Sequence, residues 1–303
     1  MVIIFICIAM ALKTAPDILS SLNSDNFKSV ARALTIVENN LQGSDELLKG
    51  LRFINLTPII GITGPPGAGK STLVNALIGE LIEKDNKVAV LAIDPTSPFN
   101  FGSLLGDRIR MSAYFNNPKV YIRSLATRGS LGGLSAKTIE MTDVLRAAKF
   151  DYIFVETVGV GQSEVEIAGL ADVTLVVLVP ESGDEIQNIK SGLMEIADAF
   201  IVNKADREGA DTFANNLKKL TDKVPIFKSV ASQADGVAAI INFITSATNK
   251  KHPRKEMLLA DKAYKLIQQK RMTDVDKKNL QQNIAKALVY PEFNLYKFLE
   301  AYY

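Results

Sequence analysis

The stretch GPPGAGKST at residues 64–72 directly follows an apolar run, PIIGIT at residues 58–63. A glycine, four spacers, a second glycine and then Lys70 and Ser71 form the pattern of a phosphate-binding loop between a strand and a helix. Glycines allow backbone N–H groups to wrap a phosphate, and the following helix points its positive end at the anion. We therefore expect Lys70 to reach the β- and γ-phosphates of a nucleotide and the Ser71 hydroxyl to coordinate Mg²⁺. The predicted loop comprises Gly64, Pro65, Pro66, Gly67, Ala68, Gly69, Lys70, Ser71 and Thr72.

Short β-branched runs alternate with longer helical stretches between residues 58 and 244. The runs are largely apolar at successive positions, which is typical of strands that are buried on both faces. The predicted fold class is therefore α/β, a P-loop NTPase with a mostly parallel, doubly wound sheet. The predicted strands are PIIGIT, KVAVLAI, KVYIRS, DYIFVE, DVTLVVLV, AFIVN and PIFKS.

Helical segments flank this predicted sheet on both sides. Residues 26–41 carry apolar side chains at helical spacing, and residues 257–289 hold two further helical stretches that stop before Pro291. The polar, basic run at residues 246–256 is interpreted as a linker. The predicted organisation is an N-terminal helical extension at 1–50, a P-loop domain at 51–246 and a C-terminal helical segment, a candidate dimerisation element, at 247–303.

The composition narrows the classes of partner. The chain has 303 residues, 35 Lys and Arg, 33 Asp and Glu, one cysteine and one histidine. A net charge of +2 predicts no binding to nucleic acid or to anionic membrane. Cys7 alone cannot build a disulfide framework, which fits a reducing cytoplasm, and with His252 as the sole histidine no Cys/His metal cluster can form. The apolar run at residues 1–11 is too short to span a bilayer. A signal segment, a buried helix and a true start at Met10 stay open as interpretations.

The segment NKAD, residues 203–206, follows the apolar run AFIVN and so is predicted at the carboxyl end of a strand, where ligands bind in open α/β sheets. The Asp206 carboxylate can accept hydrogen bonds from the N1–H and the 2-amino group of guanine. Adenine does not offer this pair of donors. Together with the phosphate loop, Asn203, Lys204 and Asp206 predict a guanine site.

Three carboxylates are candidates for the Mg²⁺ and γ-phosphate site. Asp94 and Glu156 each end an apolar strand, and Asp107 lies in a predicted loop, GDRIRM. Either Asp94 or Asp107 could hold the metal or polarise the attacking water, and Glu156, at its strand end, suits a ligand that supports Mg²⁺. In ETVGVGQSE, residues 156–164, the acid, two spacers and Gly159 match a γ-phosphate sensor.

Seven segments together resemble one known family: GITGPPGAGKSTL, LAIDPTSP, GSLLGDRIRM, RSLATRGSLGGL, VETVGVGQSEVEIAGLAD, GDEIQNIKSGLMEIAD and VNKAD. They are similar to the MeaB/ArgK GTPases, the chaperones of methylmalonyl-CoA mutase. The resemblance runs from about Ala31 to Asp206 almost without gaps. It implies a GTPase that binds GTP or GDP with Mg²⁺, acts as a homodimer, and gates adenosylcobalamin loading and protection of an acyl-CoA mutase.

The resemblance also assigns site residues. It implies that Asp94, Asp107 and Glu156 serve Mg²⁺ and water, and that residues 183–196, including Lys190, form a mobile loop that couples nucleotide state to the client. Ser229, Val230 and Ala231 align with the last guanine-contact element, which usually reads Thr-Ser-Ala and acts largely through its backbone.

One departure from Ras-like switches bears on mechanism. Val160 stands where those enzymes keep a water-orienting glutamine. We hypothesise that a switch carboxylate such as Asp107 orients the water instead, fully assembled only when the client is bound. A slow basal rate stimulated by the client would follow.

Two other classes are weighed against this interpretation. A metallochaperone GTPase shares such a core but needs Cys/His metal ligands that this chain lacks. A P-loop metabolic kinase would transfer phosphate to a small molecule and tolerate ATP. The aromatic tail is either a dimer contact or packs on its own unit, and it comprises Tyr290, Phe293, Tyr296, Phe298, Tyr302 and Tyr303.

Overall fold

The computed structural model describes residues 14–53, 57–94, 111–126, 136–157, 167–183, 192–221, 224–248, 255–272, 274–290 and 293–302. Contacts between Cα atoms divide the chain into two compact units, Met1–Lys255 and Glu256–Tyr303. Residues 1–13, with their open interpretations, lie outside the described part of the chain.

The first unit is built on a seven-stranded sheet of order β3-β2-β4-β1-β5-β6-β7. All six strand pairings are parallel. The central strand β1 lies between β4 and β5, so the residues that follow β1 emerge in the middle of the carboxyl edge. The strands are β1 (Ile59–Thr63), β2 (Val88–Asp94), β3 (Val120–Ala126), β4 (Tyr152–Glu156), β5 (Val173–Leu178), β6 (Ala199–Asn203) and β7 (Ile226–Ser229).

Helices cover both faces of the sheet, as a doubly wound fold requires. In the first unit they are α1 (Ala15–Ser21), α2 (Phe27–Glu38), α3 (Ser44–Gly50), α4 (Lys70–Glu83), α5 (Ala136–Ala147), α6 (Leu193–Ile196), α7 (Ala210–Leu220) and α8 (Val237–Thr248). Short 3₁₀ turns lie at Ser112–Tyr114, Ile167–Gly169, Pro180–Gly183 and Ala231–Gln233.

The main core lies between the sheet and the helices α4 and α8. Leu73 and Leu77 of α4 and Ile240 of α8 are fully buried there against apolar side chains of β1, β2, β4 and β5. This packing fixes the amino end of α4 above the carboxyl end of β1. A second cluster joins β5 and β6 to Phe213 and Leu217 of α7.

The N-terminal helix α2 packs against other helices of the first unit. It contacts α5, and its apolar side chains Val30, Leu34 and Val37 are fully buried. The ring of Phe27 lies 5.4 Å from that of Tyr121 and 6.3 Å from that of Phe150, measured between centroids. The helix therefore belongs to the same compact unit as the sheet.

A polar clamp closes the amino edge of the sheet. Arg146 of α5 pairs with Asp172, and its Nε donates to the Thr57 carbonyl at 3.1 Å. The Asp172 carboxylate also accepts from the backbone N–H of Ile59 at 2.8 Å. The clamp joins a helix to the starts of β1 and β5 at the edge opposite the phosphate loop.

The second unit contains α9 (Lys255–Arg271), α10 (Lys277–Ala287), α11 (Leu295–Leu299) and a 3₁₀ turn at Glu300–Tyr302. Part of the aromatic tail packs on itself, since the ring of Phe298 lies 6.0 Å from Phe293 and 5.6 Å from Tyr302. Tyr290 and Tyr296 are instead 71% and 81% exposed. The tail thus has a packed half and an exposed half.

The predicted fold class is confirmed, and each of the seven predicted runs forms a strand. The sheet is parallel throughout its described strands, where the sequence indicated a mostly parallel one. The predicted linker begins too early, because α8 continues to Thr248. Residues 246–248 are therefore helical, and 249–254 lie outside the described residues.

Candidate functional site

The loop between β1 and α4 has the shape of a phosphate cradle. Gly64 has φ +134°, and a Cβ built on it would lie 2.0 Å from the Val177 carbonyl oxygen of β5. Gly69, the N-cap of α4, has φ +86°, and a Cβ there would lie 2.4 Å from Asn203 Nδ2. No other residue fits either position without displacing a neighbour. The first-turn N–H groups of α4 lack intrahelical acceptors and, with the helix dipole, favour an anion at this end.

The Lys70 ammonium lies over the loop itself. The residue is 6% exposed, and Nζ donates to the carbonyls of Gly64 at 2.8 Å and Pro65 at 3.0 Å. A buried cation held at the mouth of a helix N-terminus supplies the charge that an oligophosphate requires. The cradle therefore fits a nucleotide phosphate.

Ser71 and Glu156 form a buried pair of oxygen ligands. Ser71 Oγ donates to Glu156 Oε1 at 2.6 Å, and the two residues are 3% and 5% exposed. Glu156 is the last residue of β4 and Ser71 lies in the first turn of α4, so two separate elements bring these oxygens together. A hydroxyl beside a carboxylate is the donor chemistry that Mg²⁺ prefers, and the pair fits that ion.

Asn203 joins the phosphate loop to the end of β7. Its Nδ2 donates to the Ala68 carbonyl at 2.9 Å, and its Oδ1 accepts from Ser229 Oγ at 3.2 Å and from Ala231 N at 3.1 Å. The residue is 2% exposed. One buried amide thus holds three segments in register: the phosphate loop, the end of β6 and the turn after β7.

The neighbouring Lys204 repeats this link from the surface. Its Nζ donates to the Gly67 carbonyl at 2.8 Å, and its backbone adopts φ +55°. Ala205 N donates to the Ser229 carbonyl at 3.0 Å. The left-handed backbone at Lys204 turns the chain after β6 so that Asp206 lies exposed at the same edge.

An ion pair lies directly after this segment. Arg207 pairs with Glu181, which belongs to the 3₁₀ turn Pro180–Gly183 that follows β5. The hydrogen bond from Arg207 is the main cause that lowers the pKa of the Glu181 carboxyl, with smaller contributions from its own backbone N–H and from Lys204. Both side chains are about half exposed, at 49% and 50%, so solvent screens the pair.

The structure brings most of the predicted site residues to one edge of the sheet. The contacts above join the phosphate loop, residues 64–72, to the other predicted residues at this edge. These are Glu156, Asn203, Lys204 and the turn of Ser229, Val230 and Ala231. Asp94 is the last residue of β2, which pairs with β4 through Ala92 and Glu156, so its backbone lies at this edge as predicted. Asp107, Gly159, Val160 and Lys190 lie outside the described residues.

Two contacts at this edge involve residues that the sequence interpretation missed. They are the Arg207–Glu181 ion pair and the hydroxyls of Thr63 and Thr157, which meet at 3.0 Å. The sequence did hold a signal for the two threonines, because Thr63 directly precedes the glycine-rich loop and Thr157 directly follows the strand-end carboxylate Glu156. The sequence carried no signal that Arg207 and Glu181, which lie 26 positions apart, would form an ion pair.

Within the described ranges, no group of three or more His, Cys, Asp and Glu side chains could hold a metal ion. Among the helices that the structure describes, none has the length and apolar character needed to cross a membrane.

The sheet, the cradle and the buried serine–glutamate pair define a P-loop nucleotide-binding protein. A solved structure titled "Crystal structure of LAO/AO transport system kinase" has the same fold, with a TM-score of 0.66 over 95% of both chains at 23% identity. At that identity the likeness concerns the fold alone.

Sequence comparison defines the family. A protein of Pyrococcus horikoshii described as a putative GTPase, PH0274, is 48% identical over 233 residues, covering 73% of this chain and 74% of the relative. The GTPase ArgK of Escherichia coli is 42% identical over 59% of this chain and 55% of its own. The "Methylmalonic aciduria type A homolog, mitochondrial" of Caenorhabditis elegans is 41% identical over 61% of this chain and 51% of its own.

A family model described as "Methylmalonyl Co-A mutase-associated GTPase MeaB" matches residues 30–286. The chain belongs to this MeaB family of P-loop GTPases. Guanine-nucleotide binding and GTP hydrolysis follow from that membership and from the relatives named GTPases.

Proposed function

We propose that this GTPase is a chaperone of an adenosylcobalamin-dependent acyl-CoA mutase, with methylmalonyl-CoA mutase as the first candidate. In this proposal the nucleotide state gates cofactor loading and protects the mutase. The observation that carries it is the family match, which spans residues 30–286 and so includes α9 and most of α10 as well as the nucleotide-binding unit. A similarity limited to the phosphate loop would support GTP binding only.

We assign the site residues as follows. The loop from Gly64 to Thr72 holds the phosphates, with Lys70 on the β- and γ-phosphates. Ser71 and Glu156 hold Mg²⁺, with Asp94 and Asp107 as further carboxylates for the ion and the water, and Gly159 contacts the γ-phosphate. Asn203, Lys204, Asp206 and the turn Ser229, Val230 and Ala231 surround guanine. The contacts among Ser71, Glu156, Asn203 and Ala68 support this assignment.

The chemistry assigned to these residues is phosphoryl transfer to water. Lys70 stabilises the negative charge that develops on the phosphate oxygens, while the glycine-rich backbone holds them in place. Mg²⁺, when bound, would neutralise charge shared by the β- and γ-phosphates. Asp107 or a neighbouring carboxylate orients the water, since Val160 has no group for that task.

Guanine selection is assigned to Asp206. Its carboxylate accepts from two donors of guanine, and losing charged hydrogen bonds of this kind costs about 1.5–3 kcal/mol, or roughly tenfold to a hundredfold in affinity. Asp206 is exposed at the edge that Asn203 and Lys204 tie to the phosphate loop, which supports its placement at the base.

Hydrolysis assays with and without a partner test the chaperone proposal. Purified chain should hydrolyse GTP slowly, prefer GTP to ATP, and accelerate on addition of a cobalamin-dependent methylmalonyl-CoA mutase. Asp206→Ala should lose the preference for GTP. Fast hydrolysis that the mutase leaves unchanged, with no co-elution in GDP or in a non-hydrolysable GTP analogue, would refute the proposal. Phosphate transfer to a small molecule would instead indicate a metabolic kinase.

Self-association and location complete the proposal. We infer a homodimer, supported by the exposed aromatic side chains of the C-terminal tail, Tyr290 and Tyr296. We also infer a cytoplasmic location, supported by the single cysteine, and no nucleic-acid or membrane partner, supported by the charge of +2.

A further inference from the structure

Two buried threonines join the ends of the central strands. Thr63 is the last residue of β1 and Thr157 directly follows β4, and the two residues are 0% and 1% exposed. Thr157 Oγ1 donates to Thr63 Oγ1 at 3.0 Å and also lies 3.5 Å from the Ile62 carbonyl oxygen. The backbone N–H of Thr157 donates to that same carbonyl at 3.0 Å.

Each threonine adjoins a group of the nucleotide site. Thr63 precedes Gly64, the first glycine of the cradle, and Thr157 follows Glu156, which accepts from Ser71 Oγ. Side chains of successive strand residues point to opposite faces of a sheet. Glu156 points to the face of α4, so Thr157 points away from it. The direction of the Glu156 carboxylate is therefore coupled to the direction of Thr157.

The hydroxyl link extends the pairing of β1 and β4 by one position. The register of the two strands ends at Ile62 and Glu156, and the threonines meet immediately beyond it. Burial alone does not require hydroxyls here, because valine has the same shape and the surrounding strands are filled with apolar side chains. A neutral hydrogen bond contributes only about 1 kcal/mol net, but unlike an apolar contact it fixes a direction.

We propose that Thr63 and Thr157 are positioning residues that hold the Glu156 carboxylate against the Ser71 hydroxyl and thereby set the Mg²⁺ requirement of nucleotide binding. The inference rests on the proposed assignment of Mg²⁺ to Ser71 and Glu156. Neither threonine touches the nucleotide in this scheme, and both act through the carboxylate.

The test measures release of a fluorescent GDP analogue from the full chain across a Mg²⁺ titration, together with thermal unfolding. Thr157→Val and Thr63→Val should each raise the Mg²⁺ concentration for half-maximal retention by roughly threefold to tenfold, as expected for a lost hydrogen bond near 1 kcal/mol. The double variant should be no worse than either single variant, because the interaction is shared. Thr157→Ser, which keeps the hydroxyl, should lie close to the original chain.

Thr174→Val is the matched control, since Thr174 is a 2% exposed threonine of the adjacent strand β5. It should leave the Mg²⁺ requirement unmoved, whatever its effect on the unfolding temperature. If both threonine variants behave like this control, the pair is only structural and the inference is wrong. Should Thr157→Val fail to fold, Thr63→Val tests the same hydrogen bond from its acceptor side.

Ser71→Ala separates this inference from the proposed function. If Ser71→Ala raises the Mg²⁺ requirement and the threonine variants do not, the inference fails and the metal assignment stands. If Ser71→Ala has no effect, the metal assignment fails and the inference fails with it.

Discussion

At the scale of single residues, the close approach of Gly69 to Asn203 couples the phosphate loop to the segment that follows β6. A Cβ at Gly69 would lie 2.4 Å from the Asn203 amide nitrogen, which itself donates to the Ala68 carbonyl. The cradle and the base-side segment therefore share one packed contact. A change at this point should disturb phosphate and guanine binding together.

Gly69→Ala tests that coupling against a matched neighbour. Gly67 also has a positive φ, +78°, but nothing lies within 4 Å of a Cβ built on it. Both alanines carry backbone strain of about 1–2 kcal/mol, so the difference between them isolates the collision with Asn203. We expect Gly69→Ala to weaken GDP binding by at least tenfold more than Gly67→Ala, on the order of the 1.4 kcal/mol that a tenfold change represents. Calorimetry measures the affinity of both variants for GDP, and equal losses of affinity would contradict the coupling.

Asn203→Ala and Asp206→Ala should separate two roles, since Asn203 holds the segments of the site together and Asp206 is assigned to contact the guanine base. Asn203 is buried and joins three segments, so its loss should cost about 1–3 kcal/mol of unfolding free energy as well as GDP affinity. Asp206 is exposed, and Asp206→Ala should reduce GDP affinity with little change in stability. Denaturant titration and GDP binding on the same two samples measure both quantities. A stability loss in Asp206→Ala equal to that in Asn203→Ala would contradict this division.

The Glu181–Arg207 pair gives a pH-dependent signature. Because the hydrogen bond from Arg207 lowers the pKa of the Glu181 carboxyl, the pair stabilises the folded chain above the ordinary carboxyl pKa. That contribution is lost as the pH falls through the lowered pKa, and it is small because both side chains are about half exposed. Carboxyl carbon shifts in an NMR titration should show a lowered midpoint for Glu181. Arg207→Ala should return the midpoint toward its ordinary value; an unchanged midpoint would mean that the ion pair does not form.

The sequence predicted the residues of the site better than their contacts. Lys70, Ser71 and Asn203 could be found because each sits at a fixed spacing within a short motif. The contacts from Asn203 to Ala68 and from Ser71 to Glu156 join positions 135 and 85 residues apart. Only the order of strands in the sheet determines which distant residues become neighbours, and no local pattern encodes that order.

At the scale of elements, the strands were predictable because each is a short, largely apolar run, whereas the helix boundaries were harder to predict. The end of α8 at Thr248 lies beyond the predicted linker start, since Ser246 and Thr248 satisfy their hydroxyls on carbonyls of the preceding turn. Polar composition alone therefore placed the boundary too early.

The amino-edge clamp offers a prediction that is independent of the nucleotide site. Arg146→Met should destabilise the chain by about 1–2 kcal/mol, because the hydrogen bonds of Arg146 to Asp172 and Thr57 are lost in a partly solvated setting. GDP affinity should stay unchanged, since the clamp lies at the opposite edge of the sheet. Chemical denaturation and GDP binding test this expectation. A parallel loss of affinity would show that the two edges are coupled.

At the scale of the whole molecule, the exposed half of the aromatic tail bears on self-association. Tyr290→Ser with Tyr296→Ser should shift the proposed dimer toward monomer, because these rings are 71% and 81% exposed and are the kind of side chain enriched at interfaces. Tyr264→Ser is the control, an exposed tyrosine of α9 in the same unit. Light scattering across a concentration series should separate the variants. A monomeric original chain, or an equal effect of the control, would contradict the assignment to the tail.

The packing of α2 on the sheet has a consequence for biosynthesis. The apolar stripe of α2, with Val30, Leu34 and Val37, leaves the ribosome long before α5, which α2 contacts, and before Phe150, whose ring packs on Phe27. At about 5–20 residues per second, the apolar stripe of α2 stays open to water for roughly 5–25 seconds of translation. The nascent chain thus presents an exposed apolar helix at the ribosomal tunnel exit. Slower elongation between α2 and α5 should therefore increase the binding of holdase chaperones to the nascent chain.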